Sequence, residues 1–128
     1  VAREPDVLKL LAGVHVLVVD PDPEARPLLE ATLAYCGAFV TTAAAAREAI
    51  DAMARKPADV VIADVTLPHD DAYRLVAEIG GRVPVVALAT ARGDGPDRTL
   101  GAGFRAHFDK PVDPWELCRA VAGLARKA

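Results

Sequence analysis

Val60-Val61-Ile62-Ala63-Asp64-Val65-Thr66-Leu67-Pro68 opens with four apolar residues, three of them β-branched, and then turns abruptly to a carboxylate. So unbroken an apolar run fits a strand buried on both faces rather than one that alternates between core and water. A carboxylate at its end stands where a buried strand emerges, which in an open α/β sheet is the edge at which ligands bind. Val16-Leu17-Val18-Val19 repeats the pattern and likewise stops at an acid, Asp20. Two strands that each deliver a carboxylate to one edge bring like charges together, which is costly unless a cation or a proton intervenes. The pair points to a metal-assisted acid site.

Outward from these runs the chain alternates between two periodicities. Strands are predicted at Val14 to Val19, Val60 to Ile62 and Val83 to Leu88, with weaker ones at Ala38 to Thr42 and Arg105 to Phe108. Amphipathic segments fall between them at Pro23 to Tyr35, Ala44 to Arg55, Asp71 to Ile79, Asp97 to Leu100 and Pro114 to Lys127. Five βα units make a doubly wound parallel sheet with helices on both faces. Asp22-Pro23 and Asp113-Pro114, the latter with Glu116 three residues past the cap, read as helix starts. Gly37, Gly80-Gly81, and Gly101 and Gly103 follow helices as stop signals. Residues 1 to 13 stand outside the repeat and read as a linker or short lead-in helix before a domain at 14 to 128.

The 128 residues suffice for one domain, and 52% apolar content argues for a packed globule. A formal net charge of −3 and no clustered basic face exclude a nucleic-acid footprint. No apolar run approaches the roughly 18 to 20 residues of a membrane span, so no membrane contact is expected. Cys36 and Cys118, without CxxC spacing or nearby histidines, read as two apolar core thiols. A reducing, cytoplasmic compartment follows. His15, His69 and His107 have no zinc-ligand spacing.

Taken in order, Val16-Leu17-Val18-Val19-Asp20, Asp64 with Leu67-Pro68, Pro84-Val85-Val86-Ala87-Leu88, Ala102-Gly103-Phe104 and Lys110-Pro111 resemble the response-regulator receiver domain of two-component signalling. The likeness runs in register from about residue 14 to 126, and the lead-in and the Lys110-Pro111-Val112-Asp113-Pro114 ending are most similar to receivers of hybrid sensor histidine kinases. The resemblance implies a flavodoxin-like five-stranded sheet of order 2-1-3-4-5. It implies that Asp64 accepts a phosphoryl group from a phosphohistidine on a histidine kinase or phosphotransfer protein. Lys110 would pair with that carboxylate and then with the phosphoryl oxygens, and Mg²⁺ would be held by Asp20, Asp64 and the Thr66 carbonyl. Such chemistry needs an ionised nucleophile, a divalent cation and fixed cationic groups. A homodimer through helix 4, strand 5 and helix 5 is a further implication.

Departures from the family pattern stand beside the matches. Pro21 replaces a second acid after strand 1, which weakens a hard-cation site. Asp22 is the candidate substitute, although its place before Pro23 suits a helix cap, and Glu24 in the first turn suits the helix dipole. Ala89 takes the place of a switch hydroxyl on strand 4, and Thr90 would serve there only through a slip or bulge in a strand whose side chains alternate. Ala72 stands where a glycine is usual, implying φ below zero. His107 takes the place of an aromatic switch residue. Two functions therefore remain: a phosphoacceptor that switches an interaction surface, or a pseudo-receiver binding module that works without phosphate. A stand-alone haloacid-type phosphatase is disfavoured, because Thr66 stands where its general acid would be. Whether Asp64 takes a phosphoryl group at all is a matter for intact mass after treatment with acetyl phosphate.

Overall fold

A computed structural model describes residues 8 to 125. The start of the lead-in, residues 1 to 7, and the end of the segment expected to form the last helix, including Arg126 and Lys127, lie outside the described residues. Among the described residues, five strands alternate with five helices from β1 onward: β1 (His15–Val19), α1 (Ala25–Tyr35), β2 (Phe39–Ala43), α2 (Ala46–Arg55), β3 (Val60–Asp64), a 3₁₀ turn (Pro68–Asp70), α3 (Asp71–Ile79), β4 (Val85–Ala89), α4 (Pro96–Gly101), β5 (Ala106–Asp109) and α5 (Pro114–Ala125). All neighbouring strands pair in parallel in the order β2-β1-β3-β4-β5, the order that the resemblance implied.

Side chains alternate along each strand, so the sheet feeds two separate cores. Leu17, Val19, Val61, Ala63, Val85 and Ala87 pack beneath α2 and α3, which answer largely with small residues: Ala46, Ala49, Ala52 and Ala72, with Leu75, Val76 and Ile79. Val16, Val18, Val60, Ile62, Val86 and Leu88 face the other way, onto Leu33 of α1 and Leu117, Cys118 and Val121 of α5. Leu11, in the described part of the lead-in, is fully buried in this second core, and its N–H donates to the Cys36 carbonyl at 2.8 Å. Cys36 and Cys118 are buried free thiols. Burial, and then hydrogen bonding with Cys36, pushes the Cys118 thiol up to about 12, which suits inert core packing.

Local chemistry sets the helix ends. Asp113 Oδ1 accepts from the N–H groups of Trp115 (2.8 Å) and Glu116 (3.1 Å), capping α5. Asp22 does the same for α1: its Oδ1 accepts from Glu24 N–H at 2.9 Å, and its carbonyl accepts from Arg26 N–H at 3.2 Å. Regular helix starts at Ala25, two residues after the expected start at Pro23, because the first turn is this capping turn. Gly37 ends α1 at φ 102°, and a Cβ there would lie 3.0 Å from the Leu8 carbonyl oxygen.

Candidate functional site

Strand parity gathers the site. Val19 pairs with Ala63, so Asp20 and Asp64 leave the sheet side by side, each continuing the row that faces α1 and α5. Lys110 follows β5 in the same parity, and its N–H donates to the Ala89 carbonyl at 2.7 Å, anchoring it to the end of β4. The three residues, 44 to 90 positions apart in the chain, meet through the ammonium: Lys110 Nζ donates to Asp20 Oδ2 at 2.9 Å and to Asp64 Oδ2. Asp20 is fully buried and Asp64 is 2% exposed, whereas the Lys110 side chain keeps 28% of its surface in solvent.

Each remaining carboxylate oxygen has its own partner. Asp64 Oδ1 accepts from the Thr66 N–H (2.7 Å) and hydroxyl (2.6 Å), and Asp20 Oδ1 accepts from the Asp22 N–H at 2.9 Å. Among the described residues, no buried side-chain nitrogen or oxygen lacks a partner. Burial pushes the Asp64 carboxyl up, but the hydrogen bonds from Lys110 and Thr66 outweigh it and hold the carboxyl below its ordinary range. For Lys110, burial works downward, and hydrogen bonds to Asp64 and Asp20 hold the ammonium above its usual value. Both directions describe an ionised carboxylate beside a charged lysine.

The sequence-derived metal set comes together only in part. Asp20, Asp64 and Thr66 are adjacent, but the Asp22 carboxylate is turned to the α1 cap. Among the described residues, no three His, Cys, Asp or Glu side chains cluster as metal ligands. The donors that do converge are hard oxygens, the right chemistry for Mg²⁺, and with Pro21 they are one carboxylate short.

The strand 4 and 5 candidates lie apart from the carboxylates. Register runs unbroken to Ala89 opposite Asp109, so no slip or bulge moves Thr90 inward. Ala89 is fully buried in the core beneath α2 and α3, and Thr90 is exposed in a turn closed by Gly93 N–H donating to the Thr90 carbonyl at 3.0 Å. His107 points inward to α4: its Nδ1 is 2.8 Å from Thr99 Oγ1, and its Nε2 is 3.0 Å from Asp109 Oδ1. Ala72 lies inside α3, and positive φ falls instead at His69 (59°) and Asp70 (57°). His15 is occupied far off, with Nε2 2.8 Å from Thr41 Oγ1.

Two participants were missed in the sequence. Arg26 Nη1 donates to the Asp20 carbonyl at 2.8 Å and adds a second cation beside the β1 acid. Its place four residues after Asp22, one turn into the helix, was the available signal. Thr66 was considered for its carbonyl alone, yet its hydroxyl binds Asp64.

Comparison with known proteins agrees with this geometry. Residues 16–122 match the family described as the response regulator receiver domain. A 14.6 kDa uncharacterized protein of Leptolyngbya boryana is 38% identical over 120 residues, covering 89% of this chain and 92% of that protein. The transcriptional regulatory protein GltR of Pseudomonas aeruginosa is 32% identical over 91% of this chain, which spans only 50% of GltR. Among solved structures, the receiver domain of the sensor histidine kinase PA1611 of P. aeruginosa, with a magnesium ion in its active-site cleft, superposes with TM-score 0.78 and 32% identity over 91% of this chain and 100% of that one. With fold, register and carboxylate edge all in agreement, this chain belongs to the response-regulator receiver domains of two-component signalling.

Proposed function

We propose that residues 14 to 128 accept a phosphoryl group on Asp64 from a phosphohistidine of a histidine kinase or phosphotransfer protein. The observation that carries this reading is the Lys110 ammonium bridging Asp20 and Asp64. An ionised Asp64 oxygen would attack phosphorus, forming an O–P bond as the histidine N–P bond breaks and the imidazole leaves with its electron pair. Lys110 sits beside the attacking oxygen and is free to follow charge onto the phosphoryl oxygens, since Asp20 retains its bond from the Asp22 N–H. The Thr66 hydroxyl and N–H hold the other Asp64 oxygen and so fix which one attacks. Asp20, Asp64 and the Thr66 carbonyl would hold Mg²⁺, weakly for want of a third acid. When bound, the ion neutralises phosphoryl oxygen charge.

An apolar groove of about 460 Å³, lined by Leu28, Leu29, Leu88, Lys110, Val112 and Leu117, opens beside the lysine. Leu28 is 71% exposed on its rim, a suitable seat for the partner that presents the phosphohistidine. Pairing of two copies through α4, β5 and α5 belongs to the same proposal, as does a cytoplasmic location, which suits the free thiols. Among the described residues, no helix is long and apolar enough to cross a membrane.

Incubation with acetyl phosphate and Mg²⁺, followed by intact mass, is expected to show one phosphoryl adduct that Asp64→Ala abolishes. No adduct across millimolar Mg²⁺ would overturn the reading and leave a phosphate-independent binding module.

A further inference from the structure

The β4–α4 side of the domain carries a set of side-chain ties that phosphoacceptance does not use. Tyr73 of α3 donates its hydroxyl to Asp94 Oδ2 at 2.7 Å, across to the loop before α4. Arg98 of α4 donates to Asp94 Oδ1 at 2.8 Å and lies 3.5 Å from Asp70 Oδ1, while its guanidinium covers the Tyr73 ring at 4.3 Å. The same ring stands edge-on to the buried Phe104 at 5.6 Å. Asp94 thus ties the loop to α3 and α4, while Arg98 joins α4 to the 3₁₀ turn and Tyr73 joins α3 to the chain entering β5.

On its other side, α4 is tied to β5. Thr99 is fully buried, and its hydroxyl meets His107 Nδ1 while His107 Nε2 reaches Asp109. A carboxylate only accepts, so Nε2 donates to Asp109, and Nδ1 shares a hydrogen bond with the Thr99 hydroxyl, which also lies 3.4 Å from the Pro96 carbonyl.

β4 ends in two apolar side chains, Leu88 paired with Asp64 and Ala89 turned to the opposite core, and the Thr90 hydroxyl lies in its own turn, where a Cβ on Gly93 would meet Thr90 Oγ1 at 2.9 Å. A ligand shifts an equilibrium only by contacting its two states differently. A phosphoryl group on Asp64 finds no β4 side-chain hydroxyl turned toward it, and the loop is held elsewhere through Asp94, by Tyr73 and Arg98.

We propose that the α4–β5 face is latched in a single arrangement whatever the state of Asp64, so that a partner distinguishing the phosphorylated chain reads the rim formed by α1 and the β5–α5 loop. A partner, or a second copy, that docks on α4 and β5 binds both forms alike. This inference rests on Asp64 being the phosphoacceptor, and its test separates the two.

Hydrogen exchange followed by mass spectrometry is compared between the unmodified chain and the chain carrying the adduct. Exchange in residues 96 to 109 is expected to stay within about twofold while that around 22 to 28 and 110 to 113 changes by more. In the unmodified chain, Thr99→Val and Tyr73→Phe are each expected to speed exchange in α4 by about fivefold, the effect of one lost side-chain hydrogen bond. Changes in α4 and β5 as large as those at the rim would overturn the proposal, as would two variants that leave α4 exchange unaltered. Should no adduct form, the assignment of Asp64 falls on that count alone, and the two variants still decide whether the latch exists.

Discussion

The adjacent strands β3 and β4 end in opposite ways. β3 delivers a carboxylate gripped by Lys110 and Thr66, and β4 ends in the apolar Leu88 and Ala89 with a self-satisfied turn behind them. Polar chemistry is thus concentrated at β1, β3 and β5, where charge can be exchanged between partners. Around β4 it is spent on holding a loop still. A site able to bind and a neighbour unable to respond are separable properties of one sheet edge.

The comparison breaks most violently at Lys110. Lys110→Ala leaves two buried carboxylates without their cation, and it is expected to cost about 3 to 5 kcal/mol in urea unfolding. The same variant should slow adduct formation by about 10²-fold or more in a mass-spectrometric time course. Pro21→Asp addresses the missing charge: Mg²⁺ affinity by isothermal titration is expected to rise about tenfold, which is about 1.4 kcal/mol. An unchanged affinity would show that Pro21 is not what limits the cation site.

On the latched side, pH gives a finer probe. Burial, and then the Asp94 hydrogen bond, pushes the Tyr73 phenol up to about 12 from an ordinary 10, and the Tyr73 hydrogen bond, followed by Arg98, holds Asp94 below its usual range. For Tyr73 the folded form retains its proton longer, so its contribution is present below about pH 10 and is lost as pH rises toward 12. For Asp94 the sign reverses: the contribution is present above the ordinary carboxylate pKa and is lost as acid protonates the folded form. The protection of α4 amides, their exchange rate corrected for its intrinsic pH dependence, is therefore expected to be greatest between these limits, and Tyr73→Phe should remove the alkaline limb. Thr90→Ala, the mildest change, should shift stability by less than about 0.5 kcal/mol and leave adduct yield intact.

Much of this was legible in the residues. Unbroken β-branched runs fixed the buried parallel strands, and the acids at their ends located the edge, because period-two geometry leaves few ways to place Asp20 and Asp64. The Asx-Pro starts were readable because a cap is a local bargain between one side chain and its own next turn. The Tyr73–Asp94 and Thr99–His107 bonds were not, since they join α3 to a loop and α4 to β5 through tertiary approach alone. Leu11 shows the same limit: a leucine in a lead-in looks like linker until the helices that cover it are in place.

The two cores also differ in grain. Beneath α2 the contact layer is built from Ala46, Ala49 and Ala52, while the opposite layer is filled by Leu33, Leu117 and Val121. Added bulk is the hazard on one side and lost bulk on the other: an isoleucine at Ala49 would pry the helix from its seat, and trimming Leu117 to alanine would open a void. A designer seeking a tougher version of this domain would widen nothing under α2 and empty nothing under α5.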